Sequence, residues 1–377
     1  MKKVVIIPDS FKGTMSSIEV SGIMKEAVLN LEPECNAIAI PVADGGEGSV
    51  DAFLSFLGGE KIYKYVTGPY EDELVEGYYG MLPDGVAVIE MAAAAALPMV
   101  GDRKNPARTT TFGVGELIKD ALDRNARKII LALGGSCTND AATGLASFLG
   151  AEFHDENGRR FIPTGGTLER IRSMDLSRMD ERLETVPIIT MCDIDNPFYG
   201  KEGAAFVFGP QKGADDDMVE LLDRNLRYFA DLLKTETGID VQEIPGSGAA
   251  GGMGGGMAAM FHSTLKMGID TVLDTVGFDD LVKDADFVFT GEGKLDTQSL
   301  RGKVVLGVAR RAKALGVKTI AFVGDIGDGI DKVYDEGVGG VFSINRVAVG
   351  YQDARVRAKK DLALTVDNVV WFVRTLE

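Results

Sequence analysis

Histidine is almost missing from this 377-residue chain: only His154 and His262 occur, far apart. A His-based metal site or a Ser/His/Asp triad therefore has little material to be built from. The three cysteines (Cys35, Cys137, Cys192) lack metal-type spacing, and a disulfide framework is not expected in a chain of this size. Basic residues are outnumbered, 40 Lys and Arg against 57 Asp and Glu, giving a formal charge of −17. That balance argues against nucleic-acid and anionic-membrane partners. Any anionic ligand must then be gathered by a local group of cations and N–H donors. No uncharged apolar run reaches the ~18 residues of a membrane span. The opening MKKVVIIPDS is too short for a signal segment and reads as a buried strand, so a cytoplasmic protein is expected. No G-x-x-x-x-G-K-[ST] occurs, which excludes a Walker-type ATPase.

What is abundant is glycine, 47 residues against an average share of about 7%. The glycines cluster behind apolar runs, where loops approach ligands. Length alone predicts two domains. Lys3–Ile7 reads as a strand, Ser16 with Glu19 as a capping box opening a helix, and Ala37–Val42 as a second strand. From Asp286 the same β-α-β alternation returns, with strands at Phe287–Thr290, Thr319–Val323 and Gly340–Ile344. Between them, Tyr63–Val66, Val75–Tyr79 and Val86–Glu90 are separated by Gly-Pro and Pro-Asp-Gly turns and predict antiparallel or mixed pairing. The expected fold is α/β: a Rossmann-like doubly wound domain from both chain ends (1–59 and 284–377), with a second mixed α/β domain (60–283) inserted.

Six predicted strands end in loops that carry a carboxylate, five of them with glycine. They are Pro8–Gly13, Ala43–Gly48, Gly134–Asp140, Asp193–Pro197, Gly291–Asp296 and Gly324–Asp325. Gly and Asp are good turn formers, so any one loop means little. Together with Lys12 and Lys294 they supply what phosphoryl transfer needs: carboxylates for Mg²⁺ and for the hydroxyl proton, and cations and N–H groups for phosphate oxygens. The run Gly246–Gly256 contains G-x-G-x-x-G but follows Pro245 rather than a long apolar strand. It reads as a phosphate-cradling nest or as a close-packed helix entry, not as a dinucleotide fingerprint. Asp215–Asp217 precedes a long amphipathic helix and is expected to favour its dipole rather than to bind metal. Asn105–Thr111 is either a capped helix entry or an anion contact.

The blocks PDSFKGTMSS (8–17), ADGGEGS (43–49), IEMAAAAAL (89–97), LGGSCTNDAATG (133–144) and CDIDNPFYG (192–200) resemble the type I glycerate kinases in order and spacing. So do FGPQKGA (208–214), PGSGAAGGMGGG (245–256) and TGEGKLDTQSLRGK (290–303). Cys137 stands where that family often has a smaller residue. The resemblance implies ATP- and Mg²⁺-dependent phosphorylation of D-glycerate, usually to 2-phosphoglycerate.

Individual roles rest on chemistry. Asp193 and Asp296 are candidate proton acceptors, and Lys294 a cation for the transferring phosphoryl group. Asp9, Ser10, Lys12 and Arg301 are candidate substrate contacts. Gly134, Gly135, Ser136, Gly246, Gly248 and Gly251 are candidates for the nucleotide phosphates, and Asp44 and Glu292 for Mg²⁺. Glycerate and ATP are expected to meet between the two domains. A homo-oligomer is left open. Kinase action on another small hydroxy acid, NAD-dependent dehydrogenation and non-catalytic ligand sensing are the competing readings.

Overall fold

The computed structural model describes residues 1–43, 45–296 and 303–375. In chain order the strands are β1 (Lys3–Ile6), β2 (Asn36–Ala39), β3 (Glu60–Thr67), β4 (Leu74–Met81), β5 (Val86–Glu90), β6 (Lys128–Ala132) and β7 (Glu152–His154). They continue with β8 (Arg160–Phe161), β9 (Ser173–Asp175), β10 (Ile188–Met191), β11 (Thr264–Lys266), β12 (Phe287–Leu295), β13 (Lys318–Ile326) and β14 (Val338–Ser343). The chain forms two compact units, Met1–Asp44 with Asp51–Leu57 and Ile269–Glu377, and Gly45–Val50 with Gly58–Gly268.

In the first unit both chain ends contribute to one sheet, ordered β14-β13-β12-β1-β2 and parallel throughout. Side-chain alternation gives it two apolar faces. Val4, Ile6, Phe289, Ile320 and Phe322 pack on the helices Ser17–Leu31 and Tyr351–Arg374, through Val20, Met24, Leu362 and Val366. Leu295, Ala321 and Val323 pack on the helix Val304–Ala314, through Val305, Leu306 and Ala309. Each such fully buried side chain contributes about 1.5–3 kcal/mol of transfer free energy. Renumbered within the unit the order is 2-1-3-4-5, a doubly wound order whose reversal falls between β1 and β12. The Ser16–Glu19 capping box forms as the sequence predicts.

Two expectations shift. The return to the first unit lies at Ile269 rather than 284, because the segment ahead of β12 packs with that unit's helices. Ile269 lies under Gly307, and Arg311 binds Asp274 at 2.5 Å and Asp279 at 2.6 Å. Second, Gly291–Leu295 and Gly324–Ile326 are not loops; they prolong β12 and β13, pairing Glu292 with Val323 and Lys294 with Asp325. Glycine makes this extension fit: a Cβ on Gly291 would strike the Phe322 carbonyl oxygen, and one on Gly324 that of Gly293.

The second unit holds a six-stranded sheet ordered β11-β10-β6-β5-β4-β3 and a small antiparallel sheet β8-β7-β9. β3, β4 and β5 pair antiparallel, as expected, while β5, β6, β10 and β11 are parallel. The Asp215 side chain caps the helix Asp216–Thr237 by accepting from Met218 N, with Asp216 and Asp217 in its first turn. Among the described residues no helix is long and apolar enough to cross a membrane.

Candidate functional site

The first unit brings several candidate residues together at the carboxyl ends of β1, β12 and β13. The turn after β1 lies against β12: Asp9 N donates to Gly291 O at 2.8 Å. Farther along, a Cβ on Gly293 would stand 3.4 Å from Phe11 Cα, so the strand passes directly under the turn. Ser10 N donates to Asp9 Oδ1 at 2.6 Å. Asp9 and Glu292 are buried, while Lys12 and Lys294 are exposed. The Lys294 ammonium lies 4.0 Å from Asp296 and 3.9 Å from Asp325, its neighbour across the strand pair. Asp9, Ser10, Lys12, Glu292, Lys294 and Asp296 thus share one sheet edge, at the point of strand-order reversal where open α/β sheets bind ligands. Asp44 and Arg301 lie outside the described residues.

The remaining candidates belong to the second unit. Gly134 N donates to Gly45 O at 2.9 Å, joining the loop after β6 to residues 45–50. Asp193, after β10, accepts from Gly268 N at 2.7 Å. Gly135 is exposed, with φ +78° and only Ala92 near its open face. Gly246, Gly248 and Gly251 differ: all three are buried, and a Cβ on them would meet Ile194 O, Pro197 O and Thr138 O respectively. Close packing of backbone on backbone accounts for those three positions. The segment just before this run is a single turn, Val241–Glu243, so the strand a dinucleotide fingerprint requires is not there. Nor does Asn105–Thr111 form a simple cap or an open anion contact. Thr111 N and Oγ1 donate to Asp140 at 2.7 and 2.9 Å, and Thr109 Oγ1 donates to Cys137 O at 2.9 Å.

Three residues that sequence reasoning did not single out stand out here. Glu90 is buried at the end of β5 and accepts from Gly48 N at 3.1 Å, Val50 N at 2.8 Å and the Tyr78 hydroxyl at 3.0 Å. A lone carboxylate inside the apolar run IEMAAAAAL was its only sequence signal. Glu90→Ala strands those donors, and a loss of about 2–4 kcal/mol is expected in urea unfolding of the second unit. An unchanged midpoint would show that water replaces the carboxylate. Asp140 is buried after β6, and burial raises its carboxyl to about 6 although Thr111 and Gly144 donate to it. Lys212, also buried, donates to Ser136 Oγ at 2.8 Å and Thr138 O at 2.7 Å; burial lowers its ammonium to about 8.

Among the described residues no group of three or more His, Cys, Asp or Glu is arranged to hold a metal ion. Mg²⁺ needs fewer protein ligands, one or two carboxylates beside substrate phosphates. The hard oxygen donors Glu292, Asp296 and Asp325 at one sheet edge are of that chemistry.

Residues 4–374 match the model of the Glycerate kinase family. A glycerate kinase from Bacillus cereus is 44% identical over 373 residues, covering 98% of this chain and 98% of its own. The glycerate 2-kinase of Escherichia coli K12 is 39% identical, covering 97% and 98%. A crystal structure from Salmonella typhimurium LT2, provisionally called glycerate kinase 2, is 38% identical. It superposes with a TM-score of 0.88, covering 99% of this chain and 98% of its own.

Proposed function

Because this chain belongs to the glycerate kinase family, we propose that it transfers the γ-phosphoryl group of ATP to D-glycerate, giving 2-phosphoglycerate. The observation that carries the phosphoryl-transfer reading is the sheet edge of the first unit, where Asp9, Ser10, Glu292, Lys294 and Asp296 converge at the strand-order reversal. The 2-position is supported by the name of the Escherichia coli relative, a glycerate 2-kinase.

In this reading Asp296 accepts the proton of the attacking hydroxyl, with Asp193 the other carboxylate candidate. Lys294 neutralises charge on the phosphoryl group in transit. Asp9, Ser10, Lys12 and Arg301 hold the hydroxy acid. Gly134, Gly135 and Ser136 take the nucleotide phosphates, Gly135 being the glycine with an open face. Asp44 and Glu292 would hold Mg²⁺, which when bound offsets the charge of the β- and γ-phosphate oxygens. The Rossmann-like description of the first unit is supported by its parallel, doubly wound sheet. An ADP-release assay with ATP, Mg²⁺ and D-glycerate tests the proposal. Release that depends on D-glycerate is expected; equal release without any acceptor would defeat it.

A further inference from the structure

The buried ammonium of Lys212 feels the buried Asp140 carboxylate without bonding to it directly. Among the described residues its hydrogen bonds go to two neutral oxygens, Ser136 Oγ and Thr138 O. An ammonium withdrawn from water without a counter-ion in direct contact is disfavoured unless something else supplies the negative charge. Its surroundings are also short of partners. Thr138 Oγ1, Asn139 Nδ2 and Oδ1, and Asp140 Oδ1 are all buried without a hydrogen bond. Native interiors leave few such atoms, so a group of them next to a buried cation calls for a missing ligand or trapped water.

The backbone around them is held in an uncommon shape. Ala141, Ala142 and Ala250 have positive φ (51°, 66° and 52°), and Gly251, packed on Thr138 and Asn139, continues that left-handed run. Strained backbone and unsatisfied polar groups at one place are what binding sites tend to store. The place is also close to the surface, since Ser136 follows the exposed Gly135, and Gln211 and Gly213 on either side of Lys212 are exposed.

We propose that Lys212 is the cation that anchors the nucleotide's phosphate oxygens beneath the Gly134–Ser136 loop, with Thr138 and Asn139 supplying further donors. This rests on the reading of that loop as the nucleotide-phosphate site. It fills a gap the sequence leaves, because without a Walker motif no lysine is otherwise assigned to those phosphates. On binding, the ammonium exchanges its bonds to Ser136 and Thr138 for phosphate oxygens. The buried charge then gains a counter-ion in direct contact. A phosphate presents several acceptor oxygens at once, matching a cation flanked by an amide and two hydroxyls.

The test is Lys212→Met, which keeps the chain length and removes the charge. Thermal unfolding is followed without ligand, with ATP alone and with D-glycerate alone, and initial rates are measured with both substrates. The expected variant melts at or above the parent temperature, loses the ATP-induced rise, and shows a KM for ATP raised roughly 10- to 100-fold. Its D-glycerate-induced rise is kept. Loss of the D-glycerate rise instead would make Lys212 a carboxylate reader and overturn the assignment. A variant that melts far below the parent, or does not fold, would make Lys212 a structural residue and overturn it equally. Failure of the wild-type chain to turn over glycerate would sink the functional reading alone, because the ATP-induced shift is read without turnover.

Discussion

Asp296→Asn is expected to lower kcat for glycerate phosphorylation by about 100- to 10,000-fold while changing either KM only modestly. The substitution keeps size and shape and removes only the ability to take a proton. Asp296 follows the last residue of β12, with its side chain 29% exposed and 4.0 Å from the Lys294 ammonium. A cation there can neutralise the arriving phosphoryl oxygens while the carboxylate faces the hydroxyl that attacks them. Asp193 is the other candidate, one of its oxygens accepting from Gly268 N at 2.7 Å. Steady-state kinetics of the two asparagine variants decide between them. Near-normal kcat in Asp296→Asn would remove it from this role.

Gly256→Ala is expected to destabilise the second unit by at least about 2–3 kcal/mol, seen as a fall in melting temperature of roughly 5–10 °C. The added methyl would fall far inside van der Waals contact with the Ala141 carbonyl oxygen and 3.1 Å from Ala142 Cβ. Neither neighbour can move cheaply: Ala141 and Ala142 are already left-handed, and Ala141 N donates to Gly251 O at 3.1 Å. Calorimetry of the variant separates two readings of the glycine run. A phosphate cradle would show normal melting with a raised KM for ATP. Close packing would show the loss of stability, and that is the outcome expected here.

Much of the architecture is written in local patterns. The Ser16–Glu19 box, the alternation along β3 and β4 with their turns, and the β-α-β stretches at both ends each follow from short-range chemistry. What misleads is glycine. In Gly291-Glu292-Gly293 it looks like a turn, yet there it lets β12 and β13 lie close and run on. In Gly246–Gly256 it suits a phosphate nest and a packed helix entry alike, and most of those positions face other backbone. A residue type that serves both purposes cannot declare which without its neighbours across the fold.

The candidate site is legible in part for the same reason. Asp9, Lys294 and Asp296 carry charge at strand ends, a local signal that survives into the structure. Lys212 sits in Gly-Pro-Gln-Lys-Gly, which reads as a surface turn, and only the fold reveals that its side chain turns inward to Ser136. Asn105–Thr111 leaves a cap and an anion contact both open because the partners of Thr109 and Thr111, Cys137 O and Asp140, lie about 30 residues away in sequence.

Phosphorus NMR of the product decides whether this chain phosphorylates glycerate with ATP. Purified protein with ATP, Mg²⁺ and D-glycerate is expected to give one new phosphomonoester signal that coincides with added 2-phosphoglycerate, alongside stoichiometric ADP. A signal coinciding with 3-phosphoglycerate would contradict the assigned position. Inorganic phosphate alone, or no acceptor-dependent signal, would contradict the function itself.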